Sequence, residues 1–471
     1  MDELPEEIRI FDVADTTDPE TGVRFMSAQA DADGIGTSRI MLDISGVPQD
    51  QLYWVKLYAD LLGCLDTENY TKDILARELS LCSSSSSADI YPLRTETDEK
   101  GYRPVLRVST VSLTEETEEL YSLLYEYIFR MKLDDTDTIR SYTSALINQI
   151  RNGWNEEPYS RQIYRAQSIT DERMAYYCYL DGFGYAEFLR EVLAMLDEAP
   201  ETVTEKLTEA AGYLDNASDA IVMSAGDASY IDASVQAASD FLGQLKQKDY
   251  EAQEYSFPAP SMAEGITIDS NVQYNMMYAD FETMGLEEYT GDLDVLTSII
   301  SDGYLYPVLR DTYGAYGVIH GAMDTGMYVV SYRDPQVAET FGTYASLADV
   351  ASSLADLDEE TLDGYKMSAY AYYALPQGEL TGAINAMEVE LRGEKQEDTL
   401  DDMRAIKEVT PLELAGYADA YRAMIENGAI STTASGSVLK ANEDLYDVIL
   451  APFAAAGEAE EEELITESVT E

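Results

Sequence analysis

Residues 309–321, LRDTYGAYGVIHG, gather one arginine, three glycines, two tyrosines and the chain's single histidine into thirteen positions. An arginine is a permanent planar cation, and a tyrosine carries a hydroxyl that can donate a hydrogen bond. Gly314 and Gly317 let the backbone turn tightly here, because glycine takes left-handed conformations without a Cβ clash. Arg310 and Tyr316, with five residues between them, are therefore expected to converge on one point. His320 falls on the strand after the bend, where alternation puts it on the face of Tyr316 and Val318. It is expected to be structural or to line a substrate path rather than to bind metal. Spacing alone fits equally well an ordinary helix-end arginine followed by a strand tyrosine.

Little else in the chain offers chemistry. One histidine cannot provide the paired histidines of a zinc-hydrolase helix, and no GxSxG, GxxxxGKS or strand-linked GxGxxG occurs. The acidic clusters LDDTDT and SLADLDEET sit at helix starts or on solvated faces, and neither has the glycine-containing spacing of a calcium loop. On its own residues the chain is not expected to be a complete enzyme.

The bulk properties narrow the partners. Lys+Arg number 30 against 90 Asp+Glu, a net charge of −60. Nucleic acid is therefore excluded as an expected partner, since binding it needs cationic side chains to displace counterions, and anionic membrane surfaces are disfavoured likewise. A hydrophobic content of 45% over 471 residues is enough for more than one core, and two large units are expected. Cys64, Cys82 and Cys178 are odd in number and widely spaced, so no disulfide framework is expected. No basic-then-apolar leader opens the sequence and no apolar run is long enough to span a membrane, which leaves the compartment open.

The elements that must position the bend read as strands followed by stacks of amphipathic helices, an α+β grammar used twice. GVRFMSAQA, TSRIMLDISGV and YRPVLRVSTVSL alternate like strands, with helices expected at DQLYWVKLYADLLGCL, 71–81, 113–131 and KLDDTDTIRSYTSALINQIRNG. The serine run at 83–87 reads as a flexible loop, and helices are expected through to 232 and beyond. A polar, proline-containing stretch at 246–262 marks a linker between units at 1–245 and 263–455. In the second unit NVQYNMMYADF is a strand and DLDVLTSIISDGYLYPVL a helix, followed by a hairpin of GVIHGAM and GMYVVSYR. Helices should then run near 335–347, 359–375, 379–391 and 410–425. The glutamate-rich end, 456–471, is expected to be a solvated, mobile tail.

The run GYLYPVLRDTYGAYGVIHG, with VVSYRDPQ after it, resembles the last domain of presequence protease-like enzymes in the pitrilysin/insulinase family of zinc metallopeptidases. Tyr304, Leu305, Arg310, Gly314, Ala315, Tyr316 and Gly317 agree with the family's pattern, as do Ser331, Tyr332, Arg333, Asp334 and Pro335. Val308 stands one place before the family's valine, and Tyr313 replaces the first glycine of a pair. The stretch from DADGIGTSRIMLDISGV to LARELSL resembles the family's third domain, whose zinc motif is degenerate; the likeness extends over residues 5–455.

The resemblance implies two related α+β domains, each an antiparallel sheet packed with helices, forming the non-zinc half of a clamshell that closes on an unfolded peptide. Where the zinc-binding HxxEH motif would fall stand Leu57, Asp60 and Leu61, so the metal is expected in an N-terminal partner half and no cofactor in this chain. By the same resemblance Tyr316 donates to the oxyanion formed at the zinc site, Arg310 holds a peptide carbonyl or steadies the tyrosine, and Gly314, Ala315 and Gly317 bind substrate. The chain alone is then inactive. A different class of function, a peptidase half retired into a peptide-binding scaffold, fits the same residues.

Overall fold

Alternating apolar residues fold the N-terminal part into one face-covered sheet, seen in a computed structural model that describes residues 6–453 apart from 97, 99, 100 and 249. Its strands are β1 Val13–Thr17, β2 Arg24–Gln29, β3 Ile35–Asp43, β4 Ser83–Arg94, β5 Tyr102–Leu113 and β6 Ile221–Gly226, in the order β1-β2-β6-β3-β5-β4. Along β3, Ile40 and Leu42 enter the core under the helices while Met41 points to the opposite face, the period-two pattern of a strand buried on both sides. The helices on the first face include Leu52–Asp60, Thr117–Phe129, Thr136–Glu156 and Phe183–Glu198.

The second sheet contains β7 Ala263–Thr267, β8 Gln273–Asp280, β9 Gly317–Met323, β10 Gly326–Asp334, β11 Ala429–Ala434 and β12 Val448–Leu450, ordered β12-β7-β11-β8-β10-β9. β9 and β10 form the expected hairpin, with Val329 opposite His320, and β9 is the edge strand. The α+β class with two sheet-and-helix units is as the sequence implies. Most strand pairs are antiparallel, but β2 pairs with β6, β11 with β7 and β12 with β7 in parallel. These pairs arise because each unit's chain returns to its sheet after the helices.

Several expectations are corrected. The serine run is not a flexible loop: Ser83 opens β4, whose residues pair with β5 down to Arg94 opposite Tyr102. Pairing with valine-rich β5 supplies what serine's own strand propensity lacks. The helices expected through to 232 are interrupted by β6, six consecutive buried residues, IVMSAG, inserted between β2 and β3. A short apolar run of this kind carries no periodicity that separates strand from helix. The helix expected at 335–347 is Ala338–Tyr344, with Leu347–Ser353 separate, and that at 410–425 divides into Pro411–Gly416 and Ala418–Asn427. Asp398–Glu408 is a further helix that the sequence reading passed over. Residues 456–471 lie outside the described residues. Within 246–262 no described residue belongs to a helix or strand, although Tyr255 and Phe257 pack on the first core.

Each sheet is closed on its second face by a helix from the other half. Helix Glu379–Leu391 places Ala383, Ile384 and Met387 against Met26, Met41, Val105 and Met223 of the first sheet. Helix Tyr159–Gln167 places Ile163 and Ala166 against Met276, Tyr278, Val330 and Ala429 of the second. The latter contact is also polar: Arg165 forks onto Glu264 at 2.6 and 3.0 Å, and Gln162 Nε2 donates to the carbonyls of Tyr274 and Ser431. No helix among the described residues is long and apolar enough to cross a membrane.

Candidate functional site

The bend grows out of an unusual helix end. Helix Asp292–Ile300 continues through Ser301–Thr312 as a π-helix with Pro307 inside it. Its wider turns carry hydrogen bonds from Tyr313 N to Val308 O (3.1 Å) and from Ala315 N to Leu309 O (2.9 Å). Leu305 and Leu309 are fully buried and anchor the segment, which leaves Tyr306 and Arg310 on its exposed side with the guanidinium 5.1 Å from the tyrosine ring. Gly314 then takes φ +86°, a left-handed value that a side chain would resist. Ala315 is buried as a plug after it, and Tyr316 emerges 59% exposed.

Arg310 and Tyr316 are brought together as expected. Arg310 Nη1 donates to the carbonyl oxygen of Tyr316 at 2.5 Å, and its guanidinium carbon lies 5.5 Å from the Tyr316 ring centroid. The phenol and the guanidinium are exposed, with neither packed into the interior. Gly317 has a steric role: a Cβ there would lie 2.4 Å from the Tyr332 hydroxyl, so its bare backbone lets the Tyr332 ring rest over β9. That ring stands 5.7 Å from Tyr316 and 6.1 Å from Tyr159 of the first half.

Arg333 is the part of the arrangement that sequence reasoning treated only as a motif match. The β8–β10 register shifts between Tyr332 and Asp334, making Arg333 the extra residue of a β-bulge, at φ +48°. Its carbonyl accepts from Tyr316 N (3.3 Å) and its guanidinium carbon lies 5.8 Å from the Tyr316 ring. Beside it Asp334 is fully buried and accepts from Thr340 Oγ1 (2.6 Å), Gln336 N (2.8 Å) and Asn275 Nδ2 (3.2 Å). These bonds fix the strand at the bulge. The SYRDP run was the available signal, but a left-handed arginine is not written in spacing.

His320 does not share the environment of Tyr316. Val318 and Ala322 pack on the second core and His320 is buried between them, whereas Tyr316 lies before the strand begins. Nδ1 lies 2.7 Å from the Tyr328 carbonyl, which can only accept, so Nδ1 carries the proton and Nε2 accepts from Tyr421 Oη at 2.6 Å. Burial lowers its pKa to about 4, keeping it neutral near pH 7. With both nitrogens engaged it serves structure, at the wall of a cleft of about 710 Å³ shared with Asp294, Tyr328 and Tyr372.

The first unit has no corresponding chemistry where HxxEH would lie. On and just after helix Leu52–Asp60, Leu57 and Leu61 are fully buried. Asp60 pairs with Lys56 and accepts from Tyr185 Oη at 2.7 Å. Among the described residues no group of three or more histidine, cysteine, aspartate or glutamate side chains is arranged to hold a metal ion.

Residues 1–192 match the family model for the region associated with peptidases of family M16, subfamily C. The chain is also 23% identical over 406 residues to protein HypA of Clostridium perfringens, covering 86% of this chain and 41% of that protein. Against the mitochondrial presequence protease of Drosophila melanogaster it is 21% identical over 310 residues, 65% of this chain and 30% of that one. The chain is thus similar in sequence to part of M16-type peptidases. The chain spans less than half the length of these relatives. Its fold is that of solved relatives: the M16 peptidase inactive domain from Pseudomonas fluorescens superposes with a TM-score of 0.57 at 14% identity, covering 90% of this chain and 98% of that one. Pitrilysin superposes with 0.62 at 14% identity, covering 91% of this chain and 45% of the other.

Proposed function

We propose that this M16-like half completes the substrate chamber of a peptide-degrading zinc metalloendopeptidase whose metal sits on an N-terminal, HxxEH-bearing half. It grips an extended, unfolded peptide and turns Arg310 and Tyr316 toward the scissile bond. The observation that carries this reading is the bond from Arg310 to the Tyr316 carbonyl, which locks the bend while leaving the guanidinium and phenol exposed. A phenol held in this way can donate to an oxygen as it becomes negative, with no reorganisation at the moment of reaction. Arg310 steadies the ring from 5.5 Å and retains donors for a peptide carbonyl. Gly314, Ala315 and Gly317 shape the backbone beneath the peptide. In the same reading 1–245 and 263–455 are the two peptidase-like domains, joined at 246–262.

The test is reconstitution with an N-terminal half. Tyr316→Phe should lower kcat on the order of a hundred-fold, about 3 kcal/mol of barrier, with KM little changed. Unchanged turnover would remove Tyr316 from the reaction, and a reconstituted complex that binds peptide without cleaving it would leave the peptide-holding scaffold. The isolated chain should cleave nothing and retain no stoichiometric zinc after dialysis.

A further inference from the structure

We propose that Arg333, together with Arg310, forms a subsite for a carboxylate group of the bound peptide, and that Arg333 sets this preference; the inference rests on the peptide-chamber reading above. The backbone at Arg333 is left-handed, a conformation that glycine takes freely and a long side chain rarely does. If β10 needed only a bulge at this point, glycine would serve. An arginine held there by the buried Asp334 network points to use of its side chain.

That side chain is exposed and lies within 6 Å of the ring that Arg310 also flanks. Two guanidiniums thus attend one phenol. Among the described residues neither has a carboxylate within 4.0 Å, whereas Arg24 pairs with Asp15, Arg107 with Asp89 and Arg165 with Glu264. In a chain of 90 acidic and 30 basic residues, this is a positive spot that the acids among the described residues do not pair with. Rings that lie against a guanidinium leave N–H groups at its edge; Arg310 spends one on the Tyr316 carbonyl, and the donors that remain can meet the oxygens of a carboxylate. The chain's overall negative field repels acidic ligands elsewhere, so a carboxylate has this place to settle.

The carboxylate can be the peptide's C-terminus or an aspartate or glutamate side chain, and four fluorescent peptides separate these. They share one flexible neutral sequence: a free C-terminal acid, its C-terminal amide, the amide with one internal glutamate, and the amide with glutamine in its place. Fluorescence anisotropy on the full chain at low salt should show at least one acid-bearing peptide binding about ten-fold more tightly than its neutral twin, as expected for charge-assisted hydrogen bonds. Arg333→Gly keeps the left-handed backbone and removes the guanidinium; it should erase the preference, with folding checked by circular dichroism. Arg333→Lys should restore part of it, since charge returns without the fork. Equal binding of acid and neutral twins to the unmodified chain overturns the subsite but not the chamber. A preference that survives Arg333→Gly overturns the role of Arg333. Failure of all four peptides to bind overturns both readings.

Discussion

At the scale of single residues, the two groups nearest the bend are used in opposite ways. Arg310 and Tyr316 stay in water, while His320, four residues on, gives both ring nitrogens to the protein through Tyr328 and Tyr421. This makes the histidine a contributor to pH-dependent stability. Its pKa falls from 6.5 to about 4 on folding, chiefly because burial disfavours the cation. Between those values the unfolded chain binds a proton that the folded chain refuses, so its contribution is full above pH 6.5 and declines as pH drops toward 4. From pH 7.5 to pH 5 the stability gap between the unmodified chain and His320→Gln should narrow by about 2 kcal/mol. Urea unfolding at the two pH values measures it; a pH-independent gap would remove the histidine from the account.

At the scale of elements, the bend depends on two departures from regular structure, the π-helical run before it and the bulge beside it. Gly317 links them by making room for Tyr332. Gly317→Ala would push a Cβ into the Tyr332 hydroxyl and displace the ring that flanks Tyr316, at a cost of about 1–3 kcal/mol for overpacking. Chemical denaturation should show the loss, and Tyr332→Ala should relieve it in the double variant; no relief would mean that the strain lies elsewhere. Strands with alternating faces, such as β3 and β5, were legible in the sequence, as was the β9–β10 hairpin. So was the convergence of Arg310 and Tyr316, because glycines and turn residues announce themselves. β6 and β11 were not legible, since six buried residues in a row, or five of six in β11, carry no period. Nor was the π-helical run, because Leu305 and Leu309 four apart suit an α-helix equally well. Arg333 was hidden for another reason: the bulge that sets its conformation is a register shift against β8, and the neighbouring Asp334 is bonded to Asn275 of that strand, far away in sequence.

At the scale of the whole molecule, the exchange of helices makes the two sheets depend on each other. The first sheet's second face is closed by a helix that begins at Glu379, far beyond the polar stretch at 246–262, and the second sheet's face by one that begins at Tyr159. Arg94 of β4 also reaches Asp324 in the β9–β10 turn, and Gln167 donates to Thr325 there at 2.7 Å. We propose that 246–262 is therefore a boundary of packing units but not a hinge, and that the site's hairpin is held against the first half. Met387 gives the measurement: it is fully buried between Met26, Met41 and Met223, so Met387→Ala should leave a cavity costing about 2–5 kcal/mol. If the sheets unfold as one cooperative body, hydrogen exchange should quicken in β2 and β6, which contact the cavity, and also in β8 and β10, which do not. Quickened exchange confined to the first sheet would show that the halves open independently, and the bend at Tyr316 would then ride on a mobile unit.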